Sequence, residues 1–370
     1  MKAPRAVGVI PLGGGMTIGL ERAGFDTVLS MEMDEAWTAN IRLNRPDVPQ
    51  VTGLEEWEAY AESMREDPPE LVYGSPPCQG VTGASATASA DNPKNEWVIH
   101  FARAALTIGP RFALWENIPR MLSIGRPIVT RVEEMCRAEG YTLSAHVHEV
   151  GDFGVCQRRK RVMFVMERKG KGIAWPSHPH LRAPTVWETV SDLAEMETYD
   201  EDEGGLDDGE VPVFPYEGAP HNDHQAALRH PEGFTWNHDR SSMPDRFAAL
   251  PPGKVWIFDM PDEALSEKEL DRKRRGAVFN AHELHRLHPD RVARTLTGAR
   301  NKLHPTQNRI VSVREASRLM SFPDSWRWAH ERNFQQMAAG VCPPVCEWFG
   351  AVMMAELAGT PLPALEGRLF

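Results

Sequence analysis

Short apolar runs alternate with helix-like stretches through the first 167 residues of the chain. The strand-like runs cover residues 6–12, 27–31, 71–73, 112–115, 143–150 and 162–166, and helical patterns cover residues 16–23, 97–107 and 128–139. This alternation is typical of βαβ units and predicts an α/β fold with a mostly parallel sheet covered on both faces. Ligands of such sheets bind at the carboxyl ends of the strands.

The pattern changes after about Lys169. Prolines, histidines and charged residues become frequent there, and periodicity is weak until an apolar helical stretch near the C-terminus. At 370 residues the chain is long enough for two domains. We predict a first domain over residues 1–168, completed by a C-terminal helix within residues 335–360. A smaller, irregular domain is expected over residues 169–334.

The net charge of −11 is unevenly distributed along the chain. Nine carboxylates and no Lys or Arg lie within residues 195–210, a composition that indicates a solvated acidic loop. The later part of the second domain is instead rich in arginine, including Arg272, Arg274, Arg275 and Arg300. Such a basic region can hold a polyanion, although solvated surface is an equally good interpretation of any single charge.

Five cysteines are scattered along the chain, which argues against a disulfide framework and for a reducing compartment. No apolar run reaches the length of a membrane span, so we predict a cytoplasmic protein without a membrane partner. Cys342 and Cys346 lie four residues apart, but two thiols without nearby partners make a poor zinc site. Packing explains this pair better, and no metal is predicted.

Cys78 is the strongest candidate for a nucleophile. It lies in the segment 74–82, which reads Gly-Ser-Pro-Pro-Cys-Gln-Gly-Val-Thr and directly follows an apolar run. Proline fixes φ and removes a backbone donor, so the loop holds its shape without ladder hydrogen bonds. A thiol on a stiff loop at the end of an α/β strand is placed for nucleophilic attack. Taken alone, Cys78 is better explained as a buried structural cysteine, and the surrounding residues reverse that interpretation.

A nucleotide site is predicted near the start of the chain. Gly13, Gly14 and Gly15 follow the first strand and precede a helix, so a nucleotide-bearing ligand can approach the backbone and the helix N-terminus. Glu32 closes the second strand, where a carboxylate can accept hydrogen bonds from ribose hydroxyls. The glycine turn alone is a weak signal, and the order of strand, turn, helix and acid strengthens it.

Further polar residues lie at the ends of later strands. Glu116 follows the run 112–115 and should emerge at the same sheet edge as Cys78. A carboxyl group in such a cleft can have a raised pKa and donate a proton to a ring nitrogen. Gln157, Arg159 and Arg161 precede the run 162–166, where guanidinium groups can bind phosphate or a base carbonyl.

Taken in order, these segments resemble the DNA cytosine-5 methyltransferase family. They are the glycine turn, Pro-Pro-Cys-Gln at 76–79, Glu-Asn-Ile at 116–118, Gln-x-Arg-x-Arg at 157–161, His-Pro at 304–305, Arg-Glu-Ala at 314–316, Phe-Pro-Asp at 322–324 and a closing segment at 336–344. The match omits only about residues 169–290, where the family places its variable target-recognition domain. The resemblance implies a Rossmann-like methyltransferase domain, S-adenosylmethionine as cofactor and double-stranded DNA as partner.

The resemblance also implies roles for individual residues. Cys78 would add to C6 of a flipped-out cytosine, and Glu116 would bind N3. Arg161 would contact the cytosine, with Arg159 and Gln157 shaping its pocket. Because a free thiol is mostly protonated at neutral pH, Arg161 is expected to lower the pKa of Cys78.

Two more sets of residues follow from the resemblance. The implied cofactor site consists of Ile10, Gly13, Gly14, Gly15, Glu32, Met33, Pro76, Trp97, Ala338 and Ala339. The expected DNA contacts are Gln79, Arg272, Arg274, Arg275 and Arg300. A monomer in a bacterial or phage-infected cell is expected, and the family allows a restriction endonuclease partner.

The cofactor end departs from the family pattern. Ile10 stands where the family has an aromatic residue against adenine, Leu12 replaces the first glycine of the turn, and Leu54 replaces an aspartate. Ala338 and Ala339 replace a Gly-Asn pair. One interpretation is a divergent enzyme that still uses S-adenosylmethionine. The other is a pocket for an analogue with a larger or charged transferable group, for example a carboxylated one.

Two further alternatives stay open on the sequence alone. A tRNA cytosine-5 methyltransferase belongs to the same family, but its loop reads Pro-Phe-Thr after Pro-Cys-Gln, whereas this chain has Gly80, Val81 and Thr82. An inactive DNA-binding homologue would explain the changes at the cofactor end. It would not explain why Cys78 and Glu116 are retained.

Overall fold

The computed structural model describes residues 2–82, 88–168, 172–194, 213–235, 245–276, 283–298, 301–328 and 333–361. The chain forms two compact units. Within the described ranges, the first comprises residues 2–153, 159–181 and 340–361, and the second comprises residues 154–158 and 182–339. No helix of the described ranges is long and apolar enough to cross a membrane.

A seven-stranded sheet lies at the centre of the first unit. Its strands are β1 (Arg5–Val9), β2 (Asp26–Glu32), β3 (Gln50–Thr52), β4 (Leu71–Gly74), β5 (Phe112–Asn117), β6 (Tyr141–Glu149) and β8 (Lys160–Arg168), while β7 (Gln157–Arg158) belongs to the second unit. The order of the strands across the sheet is β3-β2-β1-β4-β5-β8-β6. Strands β1 to β5 are parallel, and β8 pairs antiparallel with both β5 and β6. The α/β fold with a mostly parallel sheet is therefore confirmed.

The predicted strand over residues 6–12 ends earlier than expected. Strand β1 stops at Val9, because Ile10 and Leu12 adopt left-handed backbone conformations with φ of 61° and 52°. Such a conformation cannot continue a β-strand and is uncommon for any residue other than glycine. The backbone therefore leaves the extended conformation at Ile10, three residues before the glycines begin.

The helices of the first unit are α1 (Gly15–Arg22), α2 (Glu35–Asn44), α3 (Leu54–Ser63), α4 (Glu96–Ile108), α5 (Arg126–Ala138) and α12 (Pro343–Ala358). Helix α12 packs closely against α1. A Cβ atom on Gly19 would lie 2.3 Å from the carbonyl oxygen of Pro343, and one on Gly350 would lie 2.7 Å from Cβ of Ala23. Both glycines are therefore required for this contact, which joins the C-terminal helix to the first unit.

The second unit is built from short elements. They are β7, α6 (Val186–Ala194), β9 (Val213–Phe214), α7 (Asp223–Leu228), β10 (Phe234–Thr235), α8 (Trp256–Asp259), α9 (Glu267–Arg274), β11 (His285–Arg286), β12 (Ala293–Arg294), β13 (Lys302–Leu303), α10 (Val313–Arg318) and α11 (Asn333–Ala339). Buried ion pairs join its helices: Arg318 contacts Asp192 at 2.5 Å and Asp324 at 2.6 Å. Such paired and hydrogen-bonded charges are the form in which ions are tolerated in a protein interior.

Candidate active site

Three strand ends of the first unit meet at one edge of the sheet. Strands β4 and β5 run parallel and end there, at Gly74 and Asn117. Strand β8 runs the other way, and its Val162 pairs with Asn117. The start of β8, with Arg161, therefore lies beside the end of β5, with Glu116.

Glu116 is buried and held at both carboxylate oxygens. The guanidinium Nε of Arg161 lies 2.7 Å from Oε1, and the hydroxyl of Ser75 donates to Oε2 at 3.0 Å. Burial raises the pKa of Glu116, although Arg161, Arg159 and the hydrogen bond from Ser75 act in the opposite direction. The site can therefore carry a protonated carboxyl group at a pH where an exposed glutamate is ionised.

Cys78 lies four residues beyond β4 in a hydrogen-bonded loop. Its carbonyl oxygen accepts from the backbone N–H groups of Val81 at 3.1 Å and Thr82 at 3.0 Å. The side-chain amide of Asn117 donates to the carbonyl oxygen of Pro76 at 3.0 Å, which fixes the proline pair to the end of β5. The thiol is therefore presented by a loop whose backbone is tied both internally and to the sheet.

The thiol of Cys78 shares its electrostatic surroundings with Glu116. Burial raises the pKa of Cys78, the positive charges of Arg161 and Arg159 lower it, and Glu116 raises it. Arg161 thus acts in the expected direction, but burial outweighs it and the net shift is upward. In the free protein the thiol is protonated at neutral pH, because ionisation would leave a poorly solvated thiolate.

Arg159 is almost fully buried beside this group. Its guanidinium donates to the carbonyl oxygen of Gly340 at 3.3 Å, and its backbone N–H donates to the carboxylate of Glu149. Burial and the nearby charge of Arg161 lower the pKa of Arg159 to about 10. Gln157 lies in the second unit, where its Oε1 accepts from the backbone N–H of Leu296 at 3.3 Å.

The turn after β1 contacts the end of β2. The backbone N–H of Leu12 donates to Oε1 of Glu32 at 2.5 Å, and the N–H of Met33 donates to Oε2 at 3.2 Å. Glu32 is only 1 % exposed, and burial raises its pKa to about 8 while the two backbone donors oppose the shift. Its carboxyl oxygens can each accept a further hydrogen bond, which fits a ligand that donates from hydroxyl groups.

The glycines of the turn lead directly into α1. Gly14 has a φ of 82° and stands at the N-cap, where no side chain caps the helix, and Gly15 begins α1. The first backbone N–H groups of the helix are therefore not capped by a side chain. An acceptor for hydroxyl groups at Glu32 and an uncapped helix start next to it fit the sugar and charged tail of S-adenosylmethionine.

The other predicted cofactor residues occupy three separate places. Pro76 is buried in the loop of Cys78. Trp97, in the first turn of α4, has its ring 5.8 Å from that of Trp57 and 5.6 Å from that of His100. Ala338 and Ala339 end α11 in the second unit. In the described ranges, no group of three or more His, Cys, Asp or Glu side chains is arranged to hold a metal ion.

The predicted DNA contacts are largely engaged in local interactions. Gln79 is exposed and accepts from Lys94. Arg272 forms an ion pair with Glu283, and Arg275 forms one with Asp271. Arg274 ends α9, whereas Arg300 and the acidic segment 195–210 lie outside the described residues.

Two residues of the site were missed by reasoning from the sequence. Ser75 binds Glu116, and Asn117 binds the carbonyl oxygen of Pro76. Ser75 precedes Pro76, and Asn117 follows Glu116. Both are polar residues at the end of a strand, and that position could have marked them as candidates for the site. Their hydrogen bonds depend on the pairing of β4 with β5, which the sequence pattern does not specify.

Comparison with known proteins agrees with this geometry. The family model described as C-5 cytosine-specific DNA methylase matches residues 13–354. The chain is 27% identical over 340 residues to the type II methyltransferase M1.HphI of Haemophilus parahaemolyticus, covering 90% of this chain and 81% of that protein. It is 26% identical over 355 residues to the type II methyltransferase M.DdeI of Desulfomicrobium norvegicum, covering 86% and 79%.

Solved structures show the same fold. A DNA modification methyltransferase encoded within an E. coli prophage superposes with a TM-score of 0.73 at 19% identity, covering 96% of this chain and all of that one. The S. pombe Dnmt2 methyltransferase superposes with a TM-score of 0.54 at 16% identity, covering 96% and 99%. The chain belongs to the C-5 cytosine-specific DNA methylase family, whose general reaction is the methylation of cytosine in DNA by S-adenosylmethionine.

Proposed function

We propose that this enzyme methylates C5 of a flipped-out cytosine in duplex DNA through a covalent bond between Cys78 and C6. The observation that carries the proposal is the arrangement of Cys78, Glu116 and Arg161 at one sheet edge, with Arg161 2.7 Å from Glu116. A nucleophile, an acid and a cation are the groups that attack at C6 requires. C6 is unreachable within the base stack, so the base must leave the duplex at a cost of a few kcal/mol.

Glu116 and Cys78 have complementary roles in the first step. The Sγ atom of Cys78 forms a bond to C6 while the proton of Glu116 moves to N3. The electron pair of the C5–C6 double bond is thereby directed to C5, which becomes nucleophilic. The raised pKa of Glu116 supports its role as the proton donor, because burial favours the protonated form of the carboxyl group.

The thiol must lose its proton before it attacks. Burial keeps the pKa of Cys78 high in the free protein, and Arg161 is the largest opposing influence. We propose that Cys78 ionises once the base is bound and Glu116 is engaged with N3, and that its proton passes to solvent water. Proton transfer to N3 leaves Glu116 as a carboxylate between Arg161 and Ser75, so the new charge is paired at once. Once C5 carries the methyl group, a water molecule takes the C5 proton, Cys78 leaves as the thiolate, and N3 returns its proton to Glu116, which restores the ring.

The residues of the glycine turn would hold the methyl donor. S-adenosylmethionine supplies an electrophilic methyl group when bound. Glu32 would accept hydrogen bonds from its ribose hydroxyls, and the start of α1 would face its charged tail. Pro76 and Trp97 would line the pocket, as the resemblance to the family implies. Glu32 stays buried and polar in the free protein, which supports a site built for a hydroxyl-bearing ligand.

The changed residues at this end support a second candidate function. Ile10 and Leu12 place side chains on a turn where the family has an aromatic residue and a glycine, and both have positive φ. Ala339 stands where the family has a polar side chain. A pocket altered in this way would accept an analogue with a larger or charged transferable group, such as a carboxylated one. The product would then carry a different substituent at C5.

We also propose that the second unit recognises the DNA target, with Arg272, Arg274, Arg275 and Arg300 as candidate contacts, and that Gln79 of the first unit contacts the DNA beside Cys78. The pairing of Arg272 with Glu283 and of Arg275 with Asp271 means that binding a phosphate would require those ion pairs to open. A restriction endonuclease partner is proposed by analogy with the type II relatives. A monomer remains our expectation.

Incubation of the protein with nucleic acid and cofactor tests the proposed function. Duplex DNA and tRNA would be digested to nucleosides after exposure to S-adenosylmethionine or its carboxylated analogue, and modified cytosines identified by mass. We expect 5-methylcytosine in DNA only. Modified cytosine in tRNA alone would establish the tRNA methyltransferase alternative. A cytosine modified with the carboxylated group would establish the changed cofactor. No product with any combination of nucleic acid and cofactor would favour an inactive homologue.

A further inference from the structure

Ser75 contacts both the start of the cofactor turn and the proposed acid. It directly follows β4 and is 3 % exposed. Its backbone N–H donates to the carbonyl oxygen of Ile10 at 2.9 Å, and its hydroxyl donates to Oε2 of Glu116 at 3.0 Å. The mechanism proposed above uses this hydroxyl only as a partner of the ionised carboxylate, after the proton has left Glu116.

The backbone of Ser75 is fixed independently of its hydroxyl. A Cβ atom on the preceding Gly74 would lie 1.8 Å from the carbonyl oxygen of Val9, so the ends of β4 and β1 are in close contact. On the other side, the next residue, Pro76, is held by the side chain of Asn117 at 3.0 Å. Replacing the hydroxyl therefore removes one hydrogen bond without releasing the loop.

The two oxygens of Glu116 have different neighbours. The positive charge of Arg161, whose Nε lies 2.7 Å from Oε1, disfavours a proton on that oxygen. The proton of the neutral carboxyl group therefore belongs on Oε2, which faces Ser75. The hydroxyl of Ser75 can donate to Oε2 whether or not that oxygen carries a proton, so the proton of the neutral carboxyl group stays available for N3.

We propose that Ser75 is a positioning residue for Glu116, whose hydroxyl holds Oε2 in both protonation states and so keeps the carboxyl group aligned as its proton moves to N3. This inference rests on the function proposed above. Without the hydroxyl, the carboxyl group could rotate away from Arg161, and the carboxylate formed by proton transfer would lack one of its two partners. An unpaired buried charge of this kind opposes the step that creates it.

The variants Ser75→Ala and Ser75→Thr test this role, with Ser30→Ala as a matched control. Ser30 is also buried in the first unit, in β2, and its hydroxyl has no hydrogen-bond partner within the described ranges. We expect Ser75→Ala to slow single-turnover methyl transfer about tenfold, the loss typical of a hydrogen bond to a charged group. The Kd for S-adenosylmethionine should change less than about twofold, Ser75→Thr should restore the rate, and Ser30→Ala should match the wild type.

The pH profile separates positioning from a merely structural effect. The hydroxyl favours the ionised form of Glu116, so its loss should raise the pKa of that group and move the high-pH limb of the rate profile to higher pH. If Ser75→Ala shows the wild-type rate and the wild-type position of the high-pH limb, the proposal is overturned. A slower rate with an unmoved limb, a lower melting temperature and no rescue by threonine would also overturn it.

A measurement without substrate distinguishes this inference from the proposed function. NMR titration of protein with ¹³C at the carboxyl carbon of glutamate measures the pKa of Glu116 in the free protein. The signal of Glu116 is assigned by its loss in Glu116→Gln. If the wild type proves inactive on every nucleic acid, the proposed function fails. An upward pKa shift in Ser75→Ala would still support the contact between the two side chains, whereas an unchanged pKa would overturn it.

Discussion

The two ends of the active site are built in different ways. At the cytosine end, Cys78, Glu116 and Arg161 match the family pattern, and side chains hold one another in place. At the cofactor end, the side chains depart from the pattern, and Ile10 and Leu12 adopt φ of 61° and 52°. They are two of three non-glycine residues with positive φ in the described part of the chain.

This difference indicates what each end must preserve. In the proposed mechanism, attack on a ring carbon needs particular atoms at particular places, so we expect changes to the side chains at the cytosine end to abolish the chemistry. The cofactor turn offers mainly its backbone, and that can survive substitution if the conformation is kept. A left-handed conformation costs a non-glycine residue roughly 1–2 kcal/mol, which burial of Leu12 can offset.

The largest expected effect follows from Cys78→Ala. Removing the nucleophile should lower methyl transfer by at least about 10⁴-fold, because no other group can form the bond to C6. Tritium transfer to duplex DNA measures the loss. Cys136→Ala, which removes a buried thiol from α5, is the control and should keep wild-type activity. Activity of Cys78→Ala within tenfold of wild type would contradict the account.

Glu116→Gln should have the next largest effect. The amide can still contact Arg161 weakly but has no acidic proton to give to N3, so we expect the rate to fall about 10²- to 10³-fold. The high-pH limb assigned to Glu116 should also disappear, leaving a rate that rises with pH as Cys78 ionises. A pH–rate profile from pH 6 to 9.5 checks both. A profile with the wild-type high-pH limb would show that another group is the acid.

Glu32→Gln separates cofactor binding from chemistry at the cytosine. We expect the Kd for S-adenosylmethionine to rise about tenfold or more, because hydrogen bonds from ribose hydroxyls to a charged acceptor are lost. Isothermal calorimetry measures this change, with exposed Glu35→Gln as control. An unchanged Kd would contradict the assignment of Glu32 to the ribose.

The same variant tests the buried state of Glu32 in the free protein. Its pKa is raised from 4.5 to about 8, so the unfolded chain loses this proton first as the pH rises. The stability contributed by the neutral group is therefore lost progressively between about pH 4.5 and pH 8. Glu32→Gln should raise the melting temperature at pH 8 more than at pH 5, by about 2–4 °C for each kcal/mol regained.

Leu12→Gly should have the smallest effect on activity and two effects of opposite sign. Loss of the buried side chain should lower the stability of the free protein by about 1–2 kcal/mol, since burial outweighs relief of backbone strain. Removal of the same side chain from the turn should tighten cofactor binding several-fold. Thermal unfolding and calorimetry measure the two effects. Ser321→Gly, at a buried residue with φ of 60°, controls for strain relief alone.

Much of the fold could be predicted from residue patterns. Buried strands such as β4 and β5 are continuous apolar runs, and α4 carries one apolar face, so their positions followed from the sequence. The strand β3 was not predicted, because it has three residues and only one of them is buried. The helices α2 and α3 were not named either, although each has a buried tryptophan. The early end of β1 could not be predicted, since Ile10 and Leu12 are residues that usually favour extended or helical backbone.

The residues of the candidate active site could be predicted where they lie next to the end of a strand. Cys78 and Glu116 follow buried runs, and parallel strands bring such ends to one edge. The contact of Ser75 with Glu116 depends on which strands are neighbours, and the upward shift in the pKa of Cys78 depends on burial. Neither property is encoded in a local pattern, and both required the tertiary structure.

The covalent bond between Cys78 and the base is the central claim. Duplex DNA with 5-fluorocytosine at the target position cannot lose its C5 substituent after methyl transfer, so the adduct should persist. Proteolysis of the denatured complex and mass spectrometry would locate the attached nucleotide. We predict it on the peptide that contains Cys78, only when S-adenosylmethionine is present. Methylation of ordinary DNA with no trapped adduct, or an adduct on another residue, would contradict the account.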